Sequence, residues 1–190
     1  MKKGLLIIYS GPSAVGKDTL LKELLNDPEL KIALSVSMTT RAPRNGEKEG
    51  VDYFYVSNER FEEAIKNNEL LEYAKYVDHY YGTPLDYVEK NRNEGKNVVL
   101  VIEIDGAKQV LEKVKDDVIS IYVVPPTMEE LEKRMRLRNI DSEESIIKRL
   151  NKAKDELSKI DFYDYKVVND DLKRAANEVR SIILKEQNKI

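Results

Sequence analysis

Two kinds of hydrophobic pattern alternate along the chain. Short, nearly continuous β-branched runs, LLIIY at 5–9, IALSVS at 32–37, VVLVI at 98–102, VISIYVV at 118–124 and YKVV at 165–168, read as buried strands. Between them apolar residues recur at helical spacing. Leu20, Leu21, Leu24 and Leu25 share one face of KDTLLKELLN, and Ala107, Val110, Leu111 and Val114 share one face of GAKQVLEKVKDD. Strands alternating with helices predict an α/β fold whose core is a parallel five-stranded sheet covered by helices on both sides.

That rhythm breaks over 38–85. There DYFYVS and EYAKYVDHYYGTP alternate as partly antiparallel strands do, around a helix-like NERFEEAIKNNELL that either Ser57 or Asn58 can cap. The expectation is an inserted mixed α+β subdomain. In 126–159, helical segments flank a polar break at 139–142 within EKRMRLRNIDSEESIIKRL, which predicts a mobile helical lid. The core then comprises 1–37, 86–125 and 160–190, closed by an amphipathic helix in DLKRAANEVRSIILKEQNKI. No internal repeat, low-complexity tract or interdomain linker divides the 190 residues, so they read as a single domain.

Charge and composition narrow the chemistry. Thirty-two Lys and Arg against 35 Asp and Glu give a net charge of −3, which gives no sign of a nucleic-acid partner. No apolar run approaches the roughly 20 residues a bilayer span needs, and MKKGLLIIYSGPS is too quickly punctuated for a signal peptide. A cytosolic protein without a membrane partner is expected. With no cysteine and one histidine, His79, disulfides and thiolate zinc sites are excluded. Any metal should be a hard, oxygen-bound one such as magnesium.

The candidate chemistry begins directly after the first strand. In GPSAVGKDT, Gly11, Gly16 and Lys17 stand at the spacing of a phosphate-binding loop, with Pro12, Ser13, Ala14 and Val15 between the glycines. Backbone amides and a helix N-terminus surround phosphates in such a loop, while the lysine reaches the β and γ oxygens. Asp18 occupies the position where a hydroxyl usually meets magnesium. Either Asp18 approaches the metal, directly or through water, or Thr19 supplies the hydroxyl. A carboxylate beside a triphosphate makes an intervening cation more necessary.

Further on, Arg41 and Arg44 flank Pro43, which keeps that segment out of a helix interior. Their planar forks suit a phosphate monoester, with Tyr53 and Tyr81 as possible hydroxyl donors, or they are solvated loop charges above packing tyrosines. Glu103 and Asp105 in VVLVIEIDGAKQV fall on one side of a strand end by the two-residue period. Ligands of open α/β sheets bind at that end. Arg134 and Arg138 share a helix face, whereas Arg136 lies about 200° round from Arg134.

Taken together, GPSAVGKDTL, SVSMTTRAPRNGE, DYFYV, NNELLEYA, YYGTP, EIDGAKQV, EESIIKRL and VVND closely resemble the guanylate kinase family over nearly the whole chain. The resemblance implies transfer of a phosphoryl group from ATP to GMP, and to dGMP, with magnesium. It further implies that Ser37, Glu72 and Thr83 read guanine, and that Arg41, Arg44, Tyr53 and Tyr81 hold the GMP phosphate. Glu103 and Asp105 would serve magnesium waters or the GMP ribose and base. Arg134, Arg138 and Arg149 would be lid arginines acting with Lys17 and Arg41, and Asn169 and Asp170 would lie beside adenine. Two family residues are missing between Asp105 and Gly106, and Asn139 replaces a glycine after the lid arginine. A monomer or small homo-oligomer is expected. The alternative is a noncatalytic module of the same fold that binds a phosphorylated protein.

Overall fold

A computed structural model describes residues 2–138 and 141–190. Five strands, β1 (Leu6–Ser10), β2 (Ile32–Leu34), β7 (Asn97–Val101), β8 (Val118–Val124) and β9 (Tyr165–Val168), form an all-parallel sheet in the order β2-β7-β1-β8-β9. Strand alternation divides the core. Leu5, Ile7 and Tyr9 face a layer made by α1 (Lys17–Leu25), α5 (Met128–Leu137), α6 (Glu143–Leu157) and α7 (Leu172–Gln187), while Leu6 and Ile8 face α3 (Leu85–Asn93) and α4 (Ile104–Lys113). Of the leucine stripe on α1, Leu20, Leu21 and Leu24 are buried and Leu25 is exposed.

The second sheet orders its strands β4 (Tyr53–Tyr55), β3 (Ser37–Thr39), β6 (His79–Pro84), β5 (Leu70–Tyr76). It is mixed: β3 pairs parallel with β4 and antiparallel with β6, which pairs antiparallel with β5. Its apolar face, Met38 with Phe54, Tyr73 and Tyr80, closes over Phe61 and Ala64 of α2 (Asn58–Lys66). Ser57 caps α2 by accepting from the Arg60 amide at 3.2 Å.

Two expectations change. The run 32–37 is not one strand: the ladder stops at Leu34, and Ser37 opens β3 in the other sheet. Nor do Glu103 and Asp105 end a strand. β7 stops at Val101, Glu103 is the N-cap of α4 and Asp105 lies in its first turn. The chain turns directly into the helix, so the two-residue period does not apply to this pair. Of the polar break, Asn139 and Ile140 lie outside the described residues, while Ser142 caps α6 through the Ser145 amide at 3.2 Å.

Candidate active site

β1 is the central strand of the core sheet, and the loop that leaves its C-terminal end lies at the topological switch point. Ala14 (φ 65°) and Gly16 (φ 90°) take left-handed conformations that fold the loop back onto α1. Gly16 caps α1 without a side-chain bond, which leaves first-turn amides of a nine-residue helix open to an anion. The loop is braced from outside. Asn169, 6% exposed, donates Nδ2 to the Val15 carbonyl at 2.8 Å, and Arg134 donates Nη1 to the same carbonyl at 3.2 Å. Arg134 also donates Nη2 to the Asn169 carbonyl at 3.0 Å and Nε to Glu130 at 3.1 Å. Both residues thus bear on the loop backbone. Asp170 instead accepts from Arg174 at 2.7 Å.

Lys17 joins two neighbouring cavities. One, of about 90 Å³, is lined by Ser13, Ala14, Gly16, Lys17, Asp18, Thr19 and Arg138. It brings both candidate metal oxygens and Arg138 to the loop at 11–19. The other, of about 250 Å³, opens at the C-terminal ends of β1 and β7, where Lys17 meets Gly11, Glu103 and Arg149. Arg149 donates to Ser13 Oγ at 3.1 Å and pairs with Asp141 at 3.2 Å. Glu103, with a side chain 77% exposed, is paired with Lys152 at 3.0 Å. Arg136 pairs with Glu132 and Glu143, as expected for a solvated helix charge.

The mixed sheet gathers the other candidates by its period of two. Ser37 stands opposite Tyr53, Thr39 opposite Tyr81 and Tyr55, and Glu72 opposite Thr83, so the polar and phenolic side chains share the face turned away from α2. Tyr53 and Tyr81 meet edge to face at 6.0 Å, and the Arg41 guanidinium lies 5.4 Å from the centre of the Tyr53 ring. Sequence reasoning missed Glu47. It pairs with Arg41 at 2.9 Å and accepts from the Arg44 amide at 2.7 Å and the Tyr55 hydroxyl at 2.9 Å. Those bonds, Arg41 foremost, hold its carboxyl down at about 2, and the same pairing raises Arg41 above its ordinary value. The signal available was local: an acid three residues after Arg44 across a glycine turn.

At the far end of this face Glu72 is buried, 7% exposed, and Thr83 donates to its Oε1 at 2.6 Å. Burial pushes its carboxyl above the usual range, opposed by the Thr83 bond and the charge of Lys113. Gly106 packs against it so closely that a Cβ there would lie 2.9 Å from Oε2.

The structure thus holds a loop of phosphate-binding shape, a cluster of arginine and tyrosine, and a buried acid. The guanylate kinase family model matches residues 3–186. The chain belongs to the guanylate kinase family. A guanylate kinase of Mesoplasma florum is 51% identical over 97% of this chain, which spans 62% of that relative's length. One from Streptococcus pyogenes is 50% identical over 96% of this chain and 86% of its own. The shared name of these relatives implies guanylate kinase activity, and so an enzyme of the nucleotide kinase class. The crystal structure of guanylate kinase from Anaplasma phagocytophilum superposes with a TM-score of 0.73 at 35% identity, covering 98% of this chain and 87% of that one. A gluconokinase from Sinorhizobium meliloti, 10% identical with a TM-score of 0.54, shares the fold alone. No helix among the described residues is long and apolar enough to cross a membrane.

Proposed function

We propose that this chain transfers the γ-phosphoryl group of ATP to the phosphate of GMP, or of dGMP, giving ADP and the corresponding diphosphate. The observation that carries the reading is Glu72, a buried carboxylate held by Thr83 at the end of a row of tyrosines. Guanine offers N1–H and its 2-amino group as adjacent donors to one carboxylate. Adenine has a lone pair at N1 and no amino group at C2, so the same carboxylate repels it. Ser37 adds a hydroxyl to that pocket. Glu103 and Asp105 approach the acceptor from the start of α4, toward its ribose.

Transfer is direct and in line, which requires alignment and charge neutralisation but no covalent intermediate. The amides of Ser13, Ala14 and Gly16 and of the first turn of α1 cradle the donor phosphates, and Lys17 reaches their β and γ oxygens. Arg41 and Arg44, with the Tyr53 and Tyr81 hydroxyls, hold the acceptor phosphate. Because Glu47 pairs with Arg41 and the Tyr53 ring lies beside its guanidinium, its orientation is set in advance of binding. Arg138 and Arg149 bring positive charge from the lid, 126–159, over the transferring group and exclude water, while Arg134 and Asn169 keep the loop in shape. Asp170 stands near the adenine side. Because Ser37 belongs to β3 of the mixed sheet, we take 37–85 as the acceptor subdomain and 1–36, 86–125 and 160–190 as the core on which it and the lid move.

Magnesium accompanies ATP in this reading. The donor set fits it: Asp18 and Thr19 present hard oxygens beside Lys17 in one small cavity. When bound, magnesium neutralises phosphate charge. Asp18 or Thr19 would hold it. The enzyme would work in the cytoplasm as a monomer or small homo-oligomer. Assaying the pure protein with ATP and magnesium against GMP, dGMP, AMP, CMP and UMP tests the reading. Turnover confined to GMP and dGMP is expected; equal use of AMP would overturn it, and silence with every acceptor would favour the noncatalytic phosphoprotein-binding module.

A further inference from the structure

Helix α4 does more than cover the core sheet. Gly106, Gln109 and Lys113, at positions i, i+3 and i+7, form one stripe of it, and this stripe meets β5. β5 is an edge strand, hydrogen-bonded to β6 on one side only. On the other side the Gln109 amide bonds the strand as a neighbouring backbone would. Its Oε1 accepts from the Tyr73 amide at 3.1 Å, and its Nε2 donates to the Tyr73 carbonyl at 3.0 Å. One turn further on, Lys113 donates Nζ to the Leu70 carbonyl at 2.8 Å.

These anchors bracket Glu72, and the bare Cα of Gly106 leaves the space that its carboxylate fills. The irregular register between Leu70 and Glu72 gives the bracket its use. A bulged edge strand twists easily, and a small rotation there would turn the carboxylate away from two donors it must meet at once. The same helix begins at Glu103, in the cavity that also holds Lys17. It therefore reaches from the phosphate end of the site to the base end.

We propose that Gln109 and Lys113 are positioning residues for guanine selection, fixing residues 70–73 of the edge strand and thereby the aim of the Glu72 carboxylate. The proposal rests on Glu72 being the group that reads guanine. It means that discrimination between guanine and adenine is set partly from a core helix, by residues that touch no substrate. The charge of Lys113 works in the same direction by favouring the ionised form of Glu72.

Steady-state kinetics with GMP, AMP and ATP on Gln109→Ala, Lys113→Met, Lys113→Arg and Glu72→Gln, together with thermal melting, test it. Gln109→Ala should raise KM for GMP about tenfold, as expected for losing a bond pair that acts through another group, with kcat and KM for ATP nearly unchanged. The preference for GMP over AMP should narrow by a similar factor. Lys113→Met should shift KM for GMP the same way, and Lys113→Arg should restore it. Lys113 is exposed, so its variants keep the test decisive if Gln109→Ala does not fold. If Gln109→Ala and Lys113→Met lower only the melting temperature while Glu72→Gln raises KM for GMP, the positioning role is wrong and the guanine-reading role stands. If Glu72→Gln also leaves GMP kinetics unchanged, both fall.

Discussion

Glu72→Gln separates two consequences of one buried carboxylate. Without nucleotide, burial holds the Glu72 carboxyl above its ordinary range despite the Thr83 bond and the Lys113 charge. Because the folded state holds this proton more tightly than the unfolded chain, folding takes up a proton between the two pKa values. Ionised Glu72 therefore opposes folding, and increasingly so as pH rises through the folded pKa. Glutamine has the same shape, still accepts from Thr83 and carries no charge. The variant should melt at or above the wild-type temperature at neutral pH, and the difference should vanish below about pH 4, where an unfolded carboxylate is also protonated.

Substrate binding should respond in the opposite sense. Guanine would lose one of two charge-assisted bonds outright, because the amide NH₂ meets a second donor, and the remaining bond becomes neutral. Bonds to charged groups contribute about 1.5–3 kcal/mol each, so a loss near 3 kcal/mol is expected, roughly 150-fold in kcat/KM for GMP. KM for ATP should stay within about twofold, since the loop that holds it is untouched. An ADP-release assay across pH 5–8, with melting curves extended down to about pH 3, reads both effects. The wild-type profile should fall relative to that of the variant as pH drops through the Glu72 pKa. Unchanged GMP kinetics would refute the guanine-reading role, and a large drop in melting temperature at neutral pH would refute the burial argument.

Lys17→Ala should lower kcat on the order of a thousandfold with the fold retained; near-normal turnover with a native circular dichroism spectrum would remove Lys17 from the chemistry. Asn169→Ala leaves the Val15 carbonyl with Arg134 alone, so KM for ATP should rise and stability fall by about 1–2 kcal/mol; denaturant titration and ATP kinetics check both. Asp18→Ser distinguishes the two metal readings. A magnesium titration of activity that barely moves assigns the contact to Thr19, whereas a large shift in the magnesium requirement assigns it to Asp18.

Much of the site was legible because its logic is local. The phosphate loop lies within nine consecutive residues, Gly11 to Thr19, between a strand and a helix that announce themselves by period. Arg41, Arg44, Tyr53 and Tyr81 were readable as a group only through the family resemblance, since the residues alone fit solvated loop charges over packing tyrosines equally well. Glu47 was not, since its value to Arg41 arises from a turn that brings together groups six residues apart. The resemblance named Arg134 as a lid arginine and Asn169 as a neighbour of adenine, but their bonds to the Val15 carbonyl depend on α5 and the end of β9 meeting at the loop, 119 and 154 residues away in sequence.

By itself the sequence determined the α/β core and the loop and helix of the phosphate-binding pattern, because hydrophobic period and short motifs act over a few residues. Only the tertiary structure decided that the run 32–37 divides between two sheets, that Glu103 and Asp105 open a helix, and that Glu72 is buried against Gly106 with Gln109 securing its strand. Each of these depends on which distant segments pack together. Burial, and the shift in proton affinity it brings to Glu72, are properties of that packing and not of any stretch of chain.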